Sequence, residues 1–82
     1  MTATREAELL SRITVNPKVM TGKPTIRGTR FTVEHLLKAL SAGLGYDELK
    51  EDYPFLEPED IQACLLYASH LVEEERVYSM SE

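Results

Sequence analysis

Apolar side chains fall on one face of a helix in the middle of the chain. They stand at steps of three, one and three, at Val33, Leu36, Leu37 and Leu40. Thr32 precedes this stripe, where its hydroxyl can accept a hydrogen bond from the free backbone N–H groups of a first turn. Gly43 follows the stripe, and glycine readily takes the left-handed conformation that ends helices. The pattern therefore predicts a helix over residues 33–42.

A short second helix is predicted after the first. The acids Asp47 and Glu48 suit the positive end of a helix dipole, and they place a helix of about two turns between Gly45 and Tyr53. Pro54 then ends it, because proline cannot continue a helix.

The last predicted helix is the longest. It begins with a proline at Pro58, and its apolar residues recur at steps of three and four. They are Ile61, Cys64, Leu65, Ala68, Leu71 and Val72. Cys64 is the only cysteine in the sequence, and this stripe predicts that it packs in the core. Beyond residue 75 the pattern is lost, so residues 76–82 are expected either to extend the helix or to form a loose tail.

The first 32 residues predict a different arrangement. Residues 3–11 are good helix formers with at most one i, i+4 side-chain pairing, of Arg5 with Leu9, which predicts a short and weakly specified helix. Residues 13–15 alternate and are β-branched, which is typical of a strand. Thr25 and Ile26 predict a second strand. Pro24 lacks a backbone N–H, so this strand is expected at a sheet edge or in a ribbon made with another chain.

Together these elements predict one mainly α-helical domain over residues 1–82. An N-terminal helix and short β arm (1–32) precede a three-helix bundle of helix-turn-helix type (33–75), and a tail (76–82) follows. A chain of 82 residues buries only about 60 to 65% of its unfolded surface, so we expect a homodimer formed through the β arm. No apolar run approaches the length of a signal peptide core or a membrane span, which predicts a cytoplasmic protein without a membrane partner.

Charge is distributed unevenly along the chain. Residues 1–38 hold seven lysines and arginines against three acids, a net charge of +4, whereas residues 39–82 hold two against eleven, a net charge of −9. Four cations of the β arm are the candidate DNA-binding residues: Lys18, Lys23, Arg27 and Arg30. A basic ribbon doubled by dimer symmetry is one way to contact DNA. The alternative is that these side chains are solvated or pair with acids of the helical half.

The sequence offers little for catalysis or metal binding. The segment TGKPTIRGTR (21–30) lacks phosphate-loop spacing, because five residues separate its glycines and Thr29 stands where the lysine belongs. His35 and His70 are far apart, and both are expected at the surface. Neither a His/Cys cluster nor the acid spacing of a calcium loop occurs. We therefore expect no enzyme and no catalytic, cofactor-binding or metal-binding residues.

The same segment carries a family resemblance. The residues concerned are Gly22, Lys23, Pro24, Ile26, Gly28, Thr29 and Arg30, followed by Gly43, Tyr53, Pro54 and Ile61. Over about residues 12–72 the chain resembles the domain of unknown function 433 family, small prokaryotic proteins with a G-K-P-x-I-x-G-T-R signature. The resemblance implies a homeodomain-like or winged-helix-like fold with three helices after a β arm. Gly45 departs from the family, whose members often have a Ser/Thr-type cap there, and this would weaken the second helix slightly.

The resemblance also implies a function. Members are commonly described as antitoxins of VapB type, encoded beside a toxin with a PIN-like ribonuclease fold. The chain is thus expected to be the antitoxin of a type II toxin–antitoxin pair, which neutralises its toxin by direct binding and regulates its own operator DNA. The acidic helical half and the tail are expected to cover the toxin's RNA groove. The candidate toxin-binding residues are Glu73, Glu74, Glu75, Val77 and Tyr78.

Two alternatives remain open at this level. One is a stand-alone DNA-binding regulator of helix-turn-helix type, in which Arg27 and Arg30 contact DNA. The acids Glu57, Glu59 and Asp60 at the start of the third helix argue against that helix as the reading element, because carboxylates repel phosphates. The other is a dimeric adaptor in which Arg30 has a structural role.

Overall fold

The computed structural model describes residues 2–79, with side-chain detail for residues 5–74. This part of the chain is mostly helical and contains a two-stranded antiparallel sheet. In chain order the elements are α1 (Thr2–Leu10), β1 (Ile13–Thr14), β2 (Thr25–Ile26), α2 (Val33–Ser41), α3 (Tyr46–Asp52) and α4 (Pro58–Ser79). The predicted fold class, an N-terminal helix and β arm before three helices, is therefore confirmed.

The two strands of the β arm pair with each other within the same chain. β1 pairs with β2 in the register Ile13 opposite Ile26 and Thr14 opposite Thr25. On its other side, Thr25 forms a bridge with Thr32. β2 therefore lies at the edge of a two-stranded sheet, as predicted, and its partner is β1 of the same chain rather than a strand of another chain. Pro24 is tolerated because it uses only its carbonyl, which accepts a hydrogen bond from the N–H of Val33 at 2.9 Å.

A tight turn connects β2 to α2. The N–H of Thr29 donates to the carbonyl of Ile26 at 3.0 Å, and Gly28, the third residue of this turn, has a φ of +79°. A type II turn requires positive φ at this position, and glycine adopts it without strain. The Thr29 hydroxyl donates to the Ile26 carbonyl at 2.8 Å and accepts from the N–H of Phe31 at 3.0 Å. These bonds hold the turn closed and lead the chain into α2.

Local capping explains where the helices begin and end. The hydroxyl of Thr32 accepts from the N–H of His35 at 2.9 Å, as predicted for the start of α2. Gly43 follows the end of α2 with a φ of +95°. At the start of α3, the carboxylate of Glu48 accepts from the N–H of Gly45 at 2.8 Å. This bond supports a helix start whose first residue has no capping side chain of its own.

The hydrophobic core joins the β arm to the helices. Its buried side chains are Ile26, Phe31, Val33, Leu36, Leu49, Leu56 and Cys64. Cys64 is fully buried, which confirms the prediction from the apolar stripe. Burial, and to a smaller extent the nearby carboxylate of Asp60, raises the pKa of the Cys64 thiol to about 12. The thiol is therefore protonated and inert in the folded protein.

A charged cluster ties the segment before β1 to the start of α4. Nη1 of Arg12 lies 2.8 Å from Oε1 of Glu57 and 3.0 Å from Oδ1 of Asp60. The other oxygen of Asp60 accepts from the N–H of Glu57 at 2.9 Å, which satisfies a free donor at the helix start. The hydrogen bond from Arg12 lowers the pKa of Glu57, and bonds to both acids raise the pKa of Arg12.

α4 is longer than the apolar pattern indicates. It runs from Pro58 to Ser79 and takes in the first part of the predicted tail (76–82). The last three residues, 80–82, lie outside the described part of the chain. None of the helices within residues 2–79 combines the length and the hydrophobicity that a membrane crossing requires.

Candidate functional site

Four rings form a cluster beside the turn. Phe31 and Tyr53 stack with ring centroids 4.3 Å apart, and Phe55 meets both edge-on at 6.0 and 6.1 Å. His35 lies in the first turn of α2, with its ring 5.1 Å from that of Phe31 and its Nε2 3.2 Å from the Tyr53 hydroxyl. Pro54 separates the two rings of the α3–α4 connection. His35 is exposed, as predicted, but its ring is held by its neighbours.

These rings line an open cleft of about 350 Å³, which we call the ring cleft. Its lining residues are Met20, Thr29, Arg30, Phe31, Thr32, His35, Tyr53 and Phe55. Phe31 is buried beneath Tyr53, whereas Phe55 and Met20 are 44% and 37% exposed. Arg30 is exposed and makes no hydrogen bond or ion pair within the described residues. The ring cleft therefore offers accessible apolar surface with an unengaged guanidinium in its lining.

A second cavity of about 410 Å³, here the basic cavity, adjoins the ring cleft, because Met20 and Arg30 line both. Lys18 and Lys23 also line it. Nζ of Lys23 lies 3.0 Å from Oε1 of Glu34, and this hydrogen bond lowers the pKa of Glu34. Three of the four candidate DNA-binding residues, Lys18, Lys23 and Arg30, are thus brought together.

Arg27, the fourth candidate, lies elsewhere. Its guanidinium donates to the Ser11 carbonyl at 3.1 Å, and its N–H donates to the Arg12 carbonyl at 2.7 Å. It lines a third cavity of about 220 Å³, which holds the charged cluster of Arg12, Glu57 and Asp60 and adjoins the ring cleft at Thr29 and Phe55. Arg27 therefore belongs to the contact between the arm and α4.

An unusual turn positions Met20 between the two cavities. Met20, Thr21 and Gly22 all have positive φ, at +50°, +54° and +86°. For the two residues that are not glycine, this left-handed conformation costs roughly 1–2 kcal/mol each. The N–H of Gly22 donates to the Val19 carbonyl at 3.0 Å, and the N–H of Lys23 donates to the Met20 carbonyl at 3.1 Å. Strained backbone of this kind concentrates at functional sites, where the surrounding structure holds it.

The signature positions mainly shape the backbone around these cavities. They are Gly22, Pro24, Ile26, Gly28, Thr29, Gly43 and Pro54. Gly22, Gly28 and Gly43 have positive φ, and Ile26 is buried in the core. The lysine and arginine of the G-K-P-x-I-x-G-T-R signature are Lys23 and Arg30, and both line the basic cavity.

The ring cleft has only a weak signal in the sequence. Phe31, Tyr53 and Phe55 are three of the six phenylalanines and tyrosines of the chain, and two of them flank Pro54. The spacing of more than twenty residues between Phe31 and Tyr53 does not predict that their rings meet.

The exposed part of α4 combines acids with apolar side chains. Leu65, Leu71 and Val72 are 49%, 46% and 64% exposed. Glu73 and Glu74 follow them and are exposed. We call these five residues the α4 face. The other candidate toxin-binding residues, Glu75, Val77 and Tyr78, have side chains outside the described residues.

Metal-ligating groups do not converge in the part of the chain that the structure describes. No three or more His, Cys, Asp or Glu side chains there are placed to hold a metal ion. His35 contacts Tyr53, and Nδ1 of the half-exposed His70 lies 3.7 Å from Oε1 of Glu73.

Comparison with known proteins identifies the family. An uncharacterised protein of Sinorhizobium fredii (strain NBRC 101917 / NGR234), y4eO, is 32% identical over 56 residues, which are 68% of this chain and 25% of y4eO. The chain thus spans about a quarter of that relative. The crystal structure of a DUF433 member from Anabaena variabilis ATCC 29413 matches with a TM-score of 0.70 and 31% identity, over 92% of this chain and 76% of that one. The model of a family described as a protein of unknown function (DUF433) matches residues 13–68, which hold both cavities, and the chain belongs to this family.

Proposed function

We propose that this protein is the antitoxin of a type II toxin–antitoxin pair and neutralises a PIN-like ribonuclease by direct binding. The observation that carries the proposal is the α4 face, where exposed apolar side chains adjoin acids. A ribonuclease binds RNA through a basic groove. An inhibitor that covers this groove needs negative charge around an apolar contact, because complementary charge steers and orients the partners.

Helical geometry places the apolar residues of the α4 face on two sides of the helix. Leu65 and Val72 lie seven residues apart, close to two helical turns, so they share one side of α4 with the half-buried Ala68 between them. Leu71 stands seven residues after Cys64 on the core-facing stripe. Cys64 is fully buried, whereas Leu71 is 46% exposed, because α4 continues past the core. Protein interfaces are typically built in this way, from a few apolar anchors with a polar rim.

Coexpression with the product of the adjacent gene tests the proposal. We expect the two proteins to copurify, and we expect the partner's ribonuclease activity to be inhibited in the complex. Val72→Asp should weaken the complex by at least about tenfold, because it places a carboxylate in an apolar contact. Val15→Asp is the matched control, since Val15 is exposed to a similar extent, 58% against 64%. An equal loss in both variants would exclude the α4 face, and absence of any complex would refute the antitoxin function.

Binding of operator DNA is a second part of the proposal, favoured by the grouping of Lys18, Lys23 and Arg30 around the basic cavity. The proposed homodimer would form through the β arm. Operator affinity should fall with salt, and each lost phosphate contact should reduce the slope of log K against log salt by about 1. Arg30→Ala should reduce this slope, whereas Arg27→Ala should change it less. Equal slopes for the two variants would contradict this assignment, and light scattering would establish the oligomeric state.

A further inference from the structure

We propose that the ring cleft and the basic cavity together bind a nucleotide of a single-stranded nucleic acid. The base would lie in the ring cleft and its phosphate at the basic cavity. The two cavities adjoin at Met20 and Arg30, and their volumes of about 350 and 410 Å³ are in the range of small-ligand sites. This inference uses no residue of the α4 face, so it is independent of toxin binding. It shares Lys18, Lys23 and Arg30 with the proposed operator contact, and the duplex arm of the test below separates the two.

The ring cleft has the surface that an unpaired base requires. Phe31 is covered by Tyr53, but Phe55 is 44% exposed and Met20 37%, so both can contact a flat ring. Bases stack on aromatic side chains whatever their sequence, because every base has a π face. The hydroxyl of Tyr53, which shares a hydrogen bond with Nε2 of His35 at 3.2 Å, is a polar group of the same lining. A hydroxyl can both donate and accept, so it can form a second hydrogen bond with the edge of a base.

The basic cavity has the charge that a phosphate requires. Lys18 and Arg30 make no ion pair within the described residues, so their charges are available to a ligand. Lys23 pairs with Glu34, but both side chains are more than half exposed, and exposed pairs of this kind are weak. A phosphate can replace the carboxylate as the partner of Lys23. The overall charge of the chain is −5, so this grouping of cations is local rather than a general basic surface.

The aromatic lining favours a single strand over a duplex. In a duplex the faces of the bases are covered by their stacked neighbours, so Phe55 could contact only a base that leaves the stack. Aromatic side chains beside a cationic groove are the usual features of single-strand binding. The left-handed turn at Met20–Gly22 supports the same assignment, because it fixes Met20 where the base and phosphate positions meet.

Fluorescence anisotropy with labelled oligonucleotides of about ten nucleotides tests the inference, since single-strand sites span about 4–16 nucleotides. DNA and RNA single strands and a DNA duplex of the same sequence would be titrated separately. Wild-type protein should bind a single strand more tightly than the duplex. Phe55→Ala should weaken this binding by about tenfold. Arg30→Ala should reduce the salt slope by about 1.

Two matched variants control for general effects. Leu44→Ala truncates an apolar side chain that is 40% exposed and lies outside both cavities, and Lys38→Ala removes an exposed cation outside both. Neither should change single-strand affinity by more than about twofold. Circular dichroism would establish that Phe55→Ala is folded, and shifts of the Tyr53 and Phe55 amide signals on titration would locate the ligand. Tighter binding of the duplex, equal losses in Phe55→Ala and Leu44→Ala, or failure of all single strands to bind would overturn the inference.

Discussion

Replacing Gly28 with alanine tests whether the turn after β2 depends on glycine. Gly28 has a φ of +79°, and a Cβ added there meets no atom within 4 Å. The substitution therefore introduces no steric clash. Any loss of stability must come from the backbone conformation alone.

The expected loss can be worked from two opposing terms. Left-handed backbone costs an L residue with a Cβ roughly 1–2 kcal/mol. Alanine also restricts the unfolded chain, which returns about 0.4–1 kcal/mol. The free energy of unfolding should therefore fall by about 1 kcal/mol, which lowers the Tm by about 4–8 °C in a domain of this size.

Urea unfolding followed by far-ultraviolet circular dichroism measures this loss. Gly28→Asn is the matched control at the same position, because asparagine tolerates left-handed backbone better than alanine does. We expect Gly28→Asn to lose less than half as much stability as Gly28→Ala. If Gly28→Ala were as stable as wild type, or if both variants lost the same amount, the left-handed turn would not be the reason for glycine at this position.

Three further predictions concern the core and the charged cluster. Leu56→Ala should lower the free energy of unfolding by about 2–5 kcal/mol, because Leu56 is fully buried. Urea unfolding measures this loss, and a much smaller loss would show that neighbouring side chains fill the space left by the leucine. Cys64, with its thiol pKa of about 12, should react with a disulfide reagent at mildly alkaline pH only as fast as the protein unfolds, so rapid labelling without denaturant would contradict its burial. Arg12 lowers the pKa of Glu57 below its ordinary 4.5, so their interaction stabilises the fold above that pH and is lost as the pH falls through the lowered pKa. Glu57→Gln should therefore have a lower Tm than wild type at neutral pH, with a difference that closes in acid, and a difference independent of pH would refute this account.

The helices could be predicted from the sequence because their limits depend on neighbouring residues. The Thr32 hydroxyl caps α2 by accepting a hydrogen bond from the N–H of His35, only three residues later. Gly43 lies within one turn of the end of α2, and Pro58 is the first residue of α4. Cys64 could be placed in the core because the apolar stripe of α4 identifies the buried side of the helix without information about which element packs against it. The pairing of β2 with β1 depends instead on how the chain turns back between residues 14 and 25, which no local pattern of two residues specifies.

The site was less predictable because it is assembled from distant segments. Phe31 and His35 come from the start of α2, whereas Tyr53 and Phe55 come from the α3–α4 connection, and only helix packing brings them together. The cations are close in sequence, yet the turn at Gly28 sends Arg27 and Arg30 to different cavities.

The ion pair between Arg12 and Asp60 has a consequence for how the protein folds during synthesis. The two residues are 48 positions apart, and α1 packs against α4, with Arg5 bonded to Gln62 at 3.2 Å. α1 and β1 are synthesised before their docking surface on α4. Contacts between such distant segments form only after a long loop has closed. The contacts of α1 and Arg12 with α4 can therefore form only after α4 has been synthesised.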